Sequence, residues 1–190
     1  MRLKICGITN KEDARIAEKY GAHGIGVVVN TSTKRAIELK RAREIFNSLG
    51  PYTKKVCVTE DASKRSIEQI KEIEPDAIQI YSDPEVQTDK YLVRGISGKD
   101  ELDNIDRFDA ILLDKSHGKG EMFPMEEYKK LIDKINKPVI VSGGITPHNI
   151  KMVVTKLSPY AIDVSSGIEK PNQKKDPKKI EKLIKRGINA

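Results

Sequence analysis

Two side chains in this sequence are suited to moving protons on a substrate, and each closes a short apolar run. Cys6 ends Leu3-Lys4-Ile5-Cys6, and Asp114 ends Ala110-Ile111-Leu112-Leu113-Asp114. Alternate residues of a strand share a face, so Leu3 and Ile5 point one way and Lys4 and Cys6 the other. A charged residue and a thiol on one face fit the wall of a polar cavity, with Cys6 at its open end and Gly7 permitting a tight exit. The run before Asp114 is too apolar to leave a carboxylate buried without a partner. On one shared rim, a thiolate could take a proton while the carboxylic acid gives one. Lys4 would favour the thiolate by its charge. Taken alone, a free cysteine is more often a small core hydrophobe.

Two further runs end in small polar turns, Ser142-Gly143-Gly144 and Ser165-Ser166-Gly167. Glycine lets backbone N–H groups approach an anion closely, and Ser166 to Glu169 can form one helical turn beside them. Two purely structural turns are the alternative. Arg35 can grip a carboxylate through two hydrogen bonds; the alternative is an exposed basic loop. Cys57, between Val56 and Val58, reads as packing. His23, His117 and His148 show no ligand spacing, and no metal-site pattern is present.

These residues are far apart in sequence, so a scaffold must gather them. Short apolar strands are predicted from Lys4 toward Cys6 and at 24–29, 54–59, 77–81, 91–96, 110–114, 138–141 and 161–164. Helices are predicted at 11–20, capped by Thr9 or Asn10, and at 38–49. Another opens at Asp61 or Ser63 and ends near 73–75. A weakly helical connection follows the fourth strand, and a short helix is expected near 99–104. The rest are 126–136, a helix from Pro147 to about 156, and 177–186. Strands alternating with helices argue for a parallel sheet with helical crossovers. Eight such units argue for a closed (β/α)8 TIM barrel, α/β in class and a single domain over 1–190. Its loops must be terse, because barrels of this kind run to ~250 residues. An open doubly wound sheet is the alternative. In a barrel, function collects at the C-terminal strand ends. Those ends are Cys6, residues 30–35, Gln79-Ile80-Tyr81, Asp114, Ser142-Gly143-Gly144 and residues 163–167.

Aromatic residues are 5% of the chain and Trp is absent, so the core must be aliphatic. The formal charge of +7 suits a small anionic substrate, nucleic acid or no particular partner. Nucleic-acid binding lacks an aromatic stacking platform or a recognisable motif. The lysine-rich stretch 170–186 reads as a solvated helix face. Two distant cysteines make no disulfide framework. No apolar run reaches the ~18 residues of a membrane span and no signal peptide precedes Cys6, so the expectation is a cytoplasmic protein with no membrane partner.

The chain resembles phosphoribosylanthranilate isomerases of tryptophan biosynthesis over essentially its whole length. The matching blocks are Lys4-Ile5-Cys6-Gly7-Ile8-Thr9, Ser32-Thr33-Lys34-Arg35, Ala77-Ile78-Gln79-Ile80, Leu112-Leu113-Asp114, Val141-Ser142-Gly143-Gly144-Ile145 and Ile162-Asp163-Val164-Ser165-Ser166-Gly167-Ile168-Glu169. The resemblance implies an Amadori rearrangement with neither cofactor nor metal. It implies Asp114 as general acid and Cys6 as general base. Arg35 matches the residue for the anthranilate carboxylate, with Gln79 and Asp163 also at the substrate. Gly143, Gly144, Ser165 and Ser166 match the phosphate site. The implied partner is a small anionic phosphosugar, with no nucleic acid, and a homodimer is an open assembly. Two stretches depart from the family pattern. Tyr81-Ser82 stands where His-Gly is usual, and Gly118 to Met125 keeps Phe123 but lacks the usual Asp-Trp. Other phosphosugar barrel enzymes, an epimerase or an indole-forming synthase, are the runner-up; they would place metal ligands or a catalytic lysine at the strand ends.

Overall fold

Each apolar run is six residues or shorter, enough for one wall of a barrel, and the intervening amphipathic runs bring the chain back for a parallel return. The computed structural model describes residues 1–98, 102–114, 125–172 and 174–188. Its strands are β1 (Arg2–Ile5), β2 (Gly24–Val28), β3 (Lys54–Val58), β4 (Ala77–Ile80), β5 (Tyr91–Ile96), β6 (Ala110–Leu113), β7 (Val139–Val141) and β8 (Ala161–Val164). Each pairs in parallel with its sequence neighbour, and β8 returns to β1, which closes the barrel. The closing register sets Lys4 opposite Asp163 and Ile5 opposite Val164.

Among the described residues six α-helices surround the sheet, fewer than the eight or so expected from sequence. They are α1 (Lys11–Tyr20), α2 (Leu39–Phe46), α3 (Lys64–Lys71), α4 (Met125–Ile132), α5 (Ile150–Leu157) and α6 (Pro177–Ile188). Of the candidate caps, Asn10 accepts from the Asp13 amide and Ser63 from the Ser66 amide. The helix α1 stops at Gly21, whose φ of 100° needs the left-handed freedom of glycine.

Three helix expectations change. Residues 81–90 form bends rather than a helix; the stretch is short, and Pro84 restricts the residue before it and donates no N–H. The helix expected near 99–104 is not there in its described part. Asn104 is left-handed (φ 60°), and a 3-10 turn follows at Ile105–Arg107. Pro147 does not start a helix, because α5 begins at Ile150. There the Asn149 side chain accepts from the Thr146 amide and the Thr146 hydroxyl accepts from the His148 amide, which satisfies the backbone in a turn. The expected loop 116–120 and the family departure at 118–124 lie outside the described residues.

Burial divides by strand face. Leu3, Ile5, Ile25, Val27, Cys57, Ile78, Ile111 and Ile162 face the helices in one large apolar cluster. The barrel interior holds two small apolar groups instead, Cys6 with Val56, Val58 and Ala77, and Val93 with Ala110 and Leu112. Cys57 is fully buried and packs as expected; burial pushes its thiol well above the ordinary range.

Candidate active site

Inside the barrel, Lys4 is 8% exposed and carries its ammonium 2.9 Å from Asp163 Oδ2 and 2.9 Å from Gln79 Oε1. The Gln79 amide donates in turn to the Tyr81 hydroxyl at 2.9 Å. A polar chain therefore crosses the barrel from β8 through β1 to the end of β4. It can exist because Gly26 has no side chain: a Cβ there would lie 2.9 Å from both Lys4 Cε and Cys6 Sγ. Tyr81, which departs from the family pattern, has its ring over Gly95, where any Cβ would overlap it. Of the polar atoms in this layer, Asp163 Oδ1 is buried without a hydrogen-bond partner.

Cys6 sits above this layer, at the C-terminal end of β1, with its amide donating to Val164 O at 2.8 Å. Burial pushes the Cys6 thiol above its ordinary range, and the Lys4 charge pulls it back in part. Burial alone would lower Lys4, but Asp163 and Cys6 more than offset this and hold it above the usual lysine range. The ammonium therefore stays charged beneath the thiol.

Cys6 and Asp114 line one cavity of about 120 Å³, together with Thr31, Thr33, Arg35, Thr59, Gln79, Tyr81, Asp163 and Ser165. The two glycine–serine turns line a smaller recess that shares Asp114, Ser142, Asp163 and Ser165 with it. Gly143 (φ 93°) and Gly144 (φ 57°) hold the left-handed geometry of the β7 turn, and the Asn149 side chain donates to Gly144 O at 2.9 Å. The one helical turn read at Ser166 to Glu169 is a 3-10 turn over Ser166–Ile168, with Glu169 as its C-cap. The two turns touch, since any side chain at Gly167 would run into the Ile145 carbonyl. Among the described residues, the amides of Gly143, Gly144, Ser166 and Gly167 donate to no backbone acceptor. Such a concave set of free N–H groups suits a phosphate.

Arg35 lines the same cavity and is half-buried. It is not an exposed basic loop residue. Its Nε and Nη2 donate to the two Glu169 oxygens, each at 2.9 Å. Glu169 Oε1 also accepts from Lys175 Nζ at 2.8 Å. The sequence reading places Lys175 on a solvated lysine face. That reading holds for Lys178, Lys179, Lys182 and Lys185 of α6, which are exposed, but Lys175 is 2% exposed. Nothing in a run of lysines marks the buried one; the only local signal is its position just before Asp176-Pro177, where α6 starts. Of the three histidines, His23 lies at the opposite barrel mouth and His148 is exposed, while His117 is outside the described residues.

Residues 3–186 match the protein family described as N-(5'-phosphoribosyl)anthranilate (PRA) isomerase. The chain is 42% identical over 195 residues to an N-(5'-phosphoribosyl)anthranilate isomerase of Methanoregula boonei, covering 100% of this chain and 98% of that one. It superposes on the phosphoribosyl anthranilate isomerase crystal structure from Thermus thermophilus with a TM-score of 0.86 at 31% identity, covering 100% and 99% of the two chains. A further structure, 28% identical with a TM-score of 0.82 and complete coverage of both chains, is an isomerase in complex with reduced 1-(o-carboxyphenylamino)-1-deoxyribulose 5-phosphate. A barrel with this rim and a match over nearly its whole length place the chain in one family: it belongs to the N-(5'-phosphoribosyl)anthranilate isomerases and is an isomerase of tryptophan biosynthesis.

Proposed function

We propose that the chain rearranges N-(5'-phosphoribosyl)anthranilate to 1-(2-carboxyphenylamino)-1-deoxyribulose 5-phosphate, with Asp114 as general acid and Cys6 as general base. The observation that carries this is the shared cavity: thiol and carboxyl line one space, and it continues into the recess between the two turns. Asp114 protonates the furanose ring oxygen as its bond to C1 breaks, and the anilino nitrogen supplies the electron pair that makes the Schiff base. The Cys6 thiolate then removes the C2 proton, and the electrons of that bond form the enolamine. Tautomerisation to the ketone returns the proton, so no atom or electron is gained or lost. The turn amides take the phosphate, Arg35 takes the anthranilate carboxylate, and Gln79 and Asp163 line the sugar.

Decay of substrate fluorescence with purified protein tests this directly. Cys6→Ala and Asp114→Asn are each expected to lower kcat by ~10²–10⁴-fold, the usual contribution of a positioned acid or base. Near wild-type turnover in Cys6→Ala would remove the base assignment. No helix among the described residues is long and apolar enough to cross a membrane, and the cytoplasm is the proposed location. A homodimer is the proposed assembly. Its support is the set of Tyr52, Tyr91 and Tyr160 toward the N-terminal barrel mouth, 96%, 46% and 45% exposed. Sedimentation velocity at micromolar protein reads the assembly, and a strictly monomeric boundary would refute it.

A further inference from the structure

We infer that Lys175 and Glu169 are positioning residues that set the span between the two anion subsites of the site, the Arg35 end and the phosphate end. The inference rests on the proposed substrate, which carries a carboxylate at one end and a phosphate at the other.

The N–H groups of the Arg35 guanidinium lie in one plane and present two edges to a carboxylate. Glu169 occupies the inner edge, Nε with one hydrogen of Nη2. The outer edge, Nη1 with the other hydrogen of Nη2, makes no hydrogen bond among the described residues, on a side chain that lines the cavity. A substrate carboxylate can therefore meet Arg35 only on that edge, and the direction of that edge is set by where Glu169 holds the plane.

Glu169 is held in its own turn. The Lys175 ammonium gives one bond to Glu169 Oε1 at 2.8 Å and reaches Ser165 O at 3.2 Å and Ser165 Oγ at 3.3 Å. These are three acceptors for three ammonium hydrogens. The Lys175 side chain is 1% exposed, so no water competes for those hydrogens. Its backbone is fixed as well. Its amide donates to Asp13 Oδ2 in α1, and Glu169 pairs with Lys175 in an antiparallel bridge flanked by Lys170 N to Lys174 O and Asp176 N to Ile168 O, each 2.8 Å.

One ammonium therefore meets the phosphate-end turn directly and the Arg35 end by way of Glu169. Through Glu169 it orients Arg35, and through Ser165 it holds the first residue of the β8 turn. Gly7 lies where the two meet: a Cβ there would fall 2.6 Å from Arg35 Cδ and 2.8 Å from Ser165 Oγ. Charge gives a second reason for a lysine at this place. Arg35 and Glu169 alone sum to zero and would hold a second carboxylate weakly. With Lys175 the cluster carries a net positive charge, so Arg35 remains an anion receptor although its inner edge is already occupied.

The test compares wild type with Glu169→Gln, Lys175→Met and Lys175→Arg, with steady-state kinetics and with inhibition by inorganic phosphate and by anthranilate as probes of the separate ends. Glu169→Gln is expected to raise KM by roughly 10- to 100-fold, the worth of charge-assisted hydrogen bonds, with a much smaller fall in kcat. It should weaken anthranilate inhibition and leave phosphate inhibition close to wild type. Lys175→Met should weaken both probes. Lys175→Arg, which keeps the charge, should recover part of the loss. A purely structural role would instead lower the melting temperature with KM and both inhibition constants unmoved in the folded protein, and that result overturns the inference. If Lys175→Met does not fold, the probe selectivity of Glu169→Gln and Lys175→Arg decides between the two roles in the same way. An inactive wild-type protein would overturn the substrate assignment itself, whereas an active one with unshifted variants overturns only the positioning role.

Discussion

Lys4 and Lys175 have the same local chemistry and different surroundings. Each is a buried ammonium within 2.9 Å of a carboxylate, Asp163 for one and Glu169 for the other. Lys4 lies in the barrel interior among acids. Burial would lower its pKa, but Asp163 and the Cys6 thiol outweigh that and raise it. Lys175 lies outside the strands and shares its carboxylate with a second cation. Burial lowers its pKa, Glu169 offsets only part of this, and Arg35 adds to the fall. Lys4 thus has its charge held by the acids around it, whereas the charge of Lys175 is opposed by burial and by the neighbouring Arg35. A buried lysine is defined by the number of acids around it, more than by its nearest partner.

The largest way to break this comparison is Lys4→Met. It strands Asp163 inside the barrel with no cation, and loss of one partner of a buried pair costs ~3–5 kcal/mol. Urea unfolding measures it. Lys175→Met should cost clearly less, since Glu169 keeps Arg35 as a partner. Equal losses would mean that the two lysines play the same role. The double variant Lys4→Met with Asp163→Leu should recover much of the stability, because the stranded charge is gone.

Gly26→Ala comes next. The added methyl would meet Cys6 Sγ and Lys4 Cε at 2.9 Å, and overpacking of this kind costs ~1–3 kcal/mol. Turnover should fall as well, because both displaced atoms belong to the site. Wild-type activity in the Gly26→Ala variant would show that Lys4 can move away from the thiol without consequence.

The pH dependence sharpens the contrast. Burial holds the Cys6 thiol above its ordinary range, so a thiolate-dependent kcat should climb with pH and level off only above that range. Lys4→Met should move the inflection higher, since the Lys4 charge lowers the thiol. On the acid side, burial would raise Glu169, but Arg35 and Lys175 hold it below the usual range. A group depressed in the folded state adds stability above its unfolded pKa and loses it as pH falls through the folded one. Wild type should therefore lose this contribution below the ordinary carboxylate range, and Glu169→Gln should flatten that part of the stability–pH curve. The smallest effect expected is for Lys129→Ala in α4. Its bond to Asp133 at 3.0 Å is an exposed pair four residues apart, worth ~0.3–0.5 kcal/mol.

Particular residues show how far sequence reading reaches. The period-two alternation of Leu3-Lys4-Ile5-Cys6 puts Lys4 and Cys6 on one face, and both do point into the barrel. The apolar runs locate all eight strands to within a residue or two, because a run bounded by turn residues has little choice of conformation. Helix ends are less legible. Pro147 looks like a helix start, yet Thr146 and Asn149 satisfy the local amides in a turn, and that choice depends on Gly144 lying close enough to receive the Asn149 side chain. Lys175 escapes the sequence reading because charge patterning treats every lysine in a run alike.

From sequence alone come the alternation that closes a parallel barrel, the glycines that allow two tight turns, and the polar residues that end each strand. These follow from local rules of periodicity, steric freedom and solubility, which the chain carries with it. Only the tertiary structure decided that Lys4 pairs with Asp163, that Arg35 already holds a carboxylate, and that one buried lysine reaches both Glu169 and Ser165. Those pairings join residues as much as 159 positions apart. Which charges meet depends on the register at which β8 closes against β1, and no local pattern encodes that.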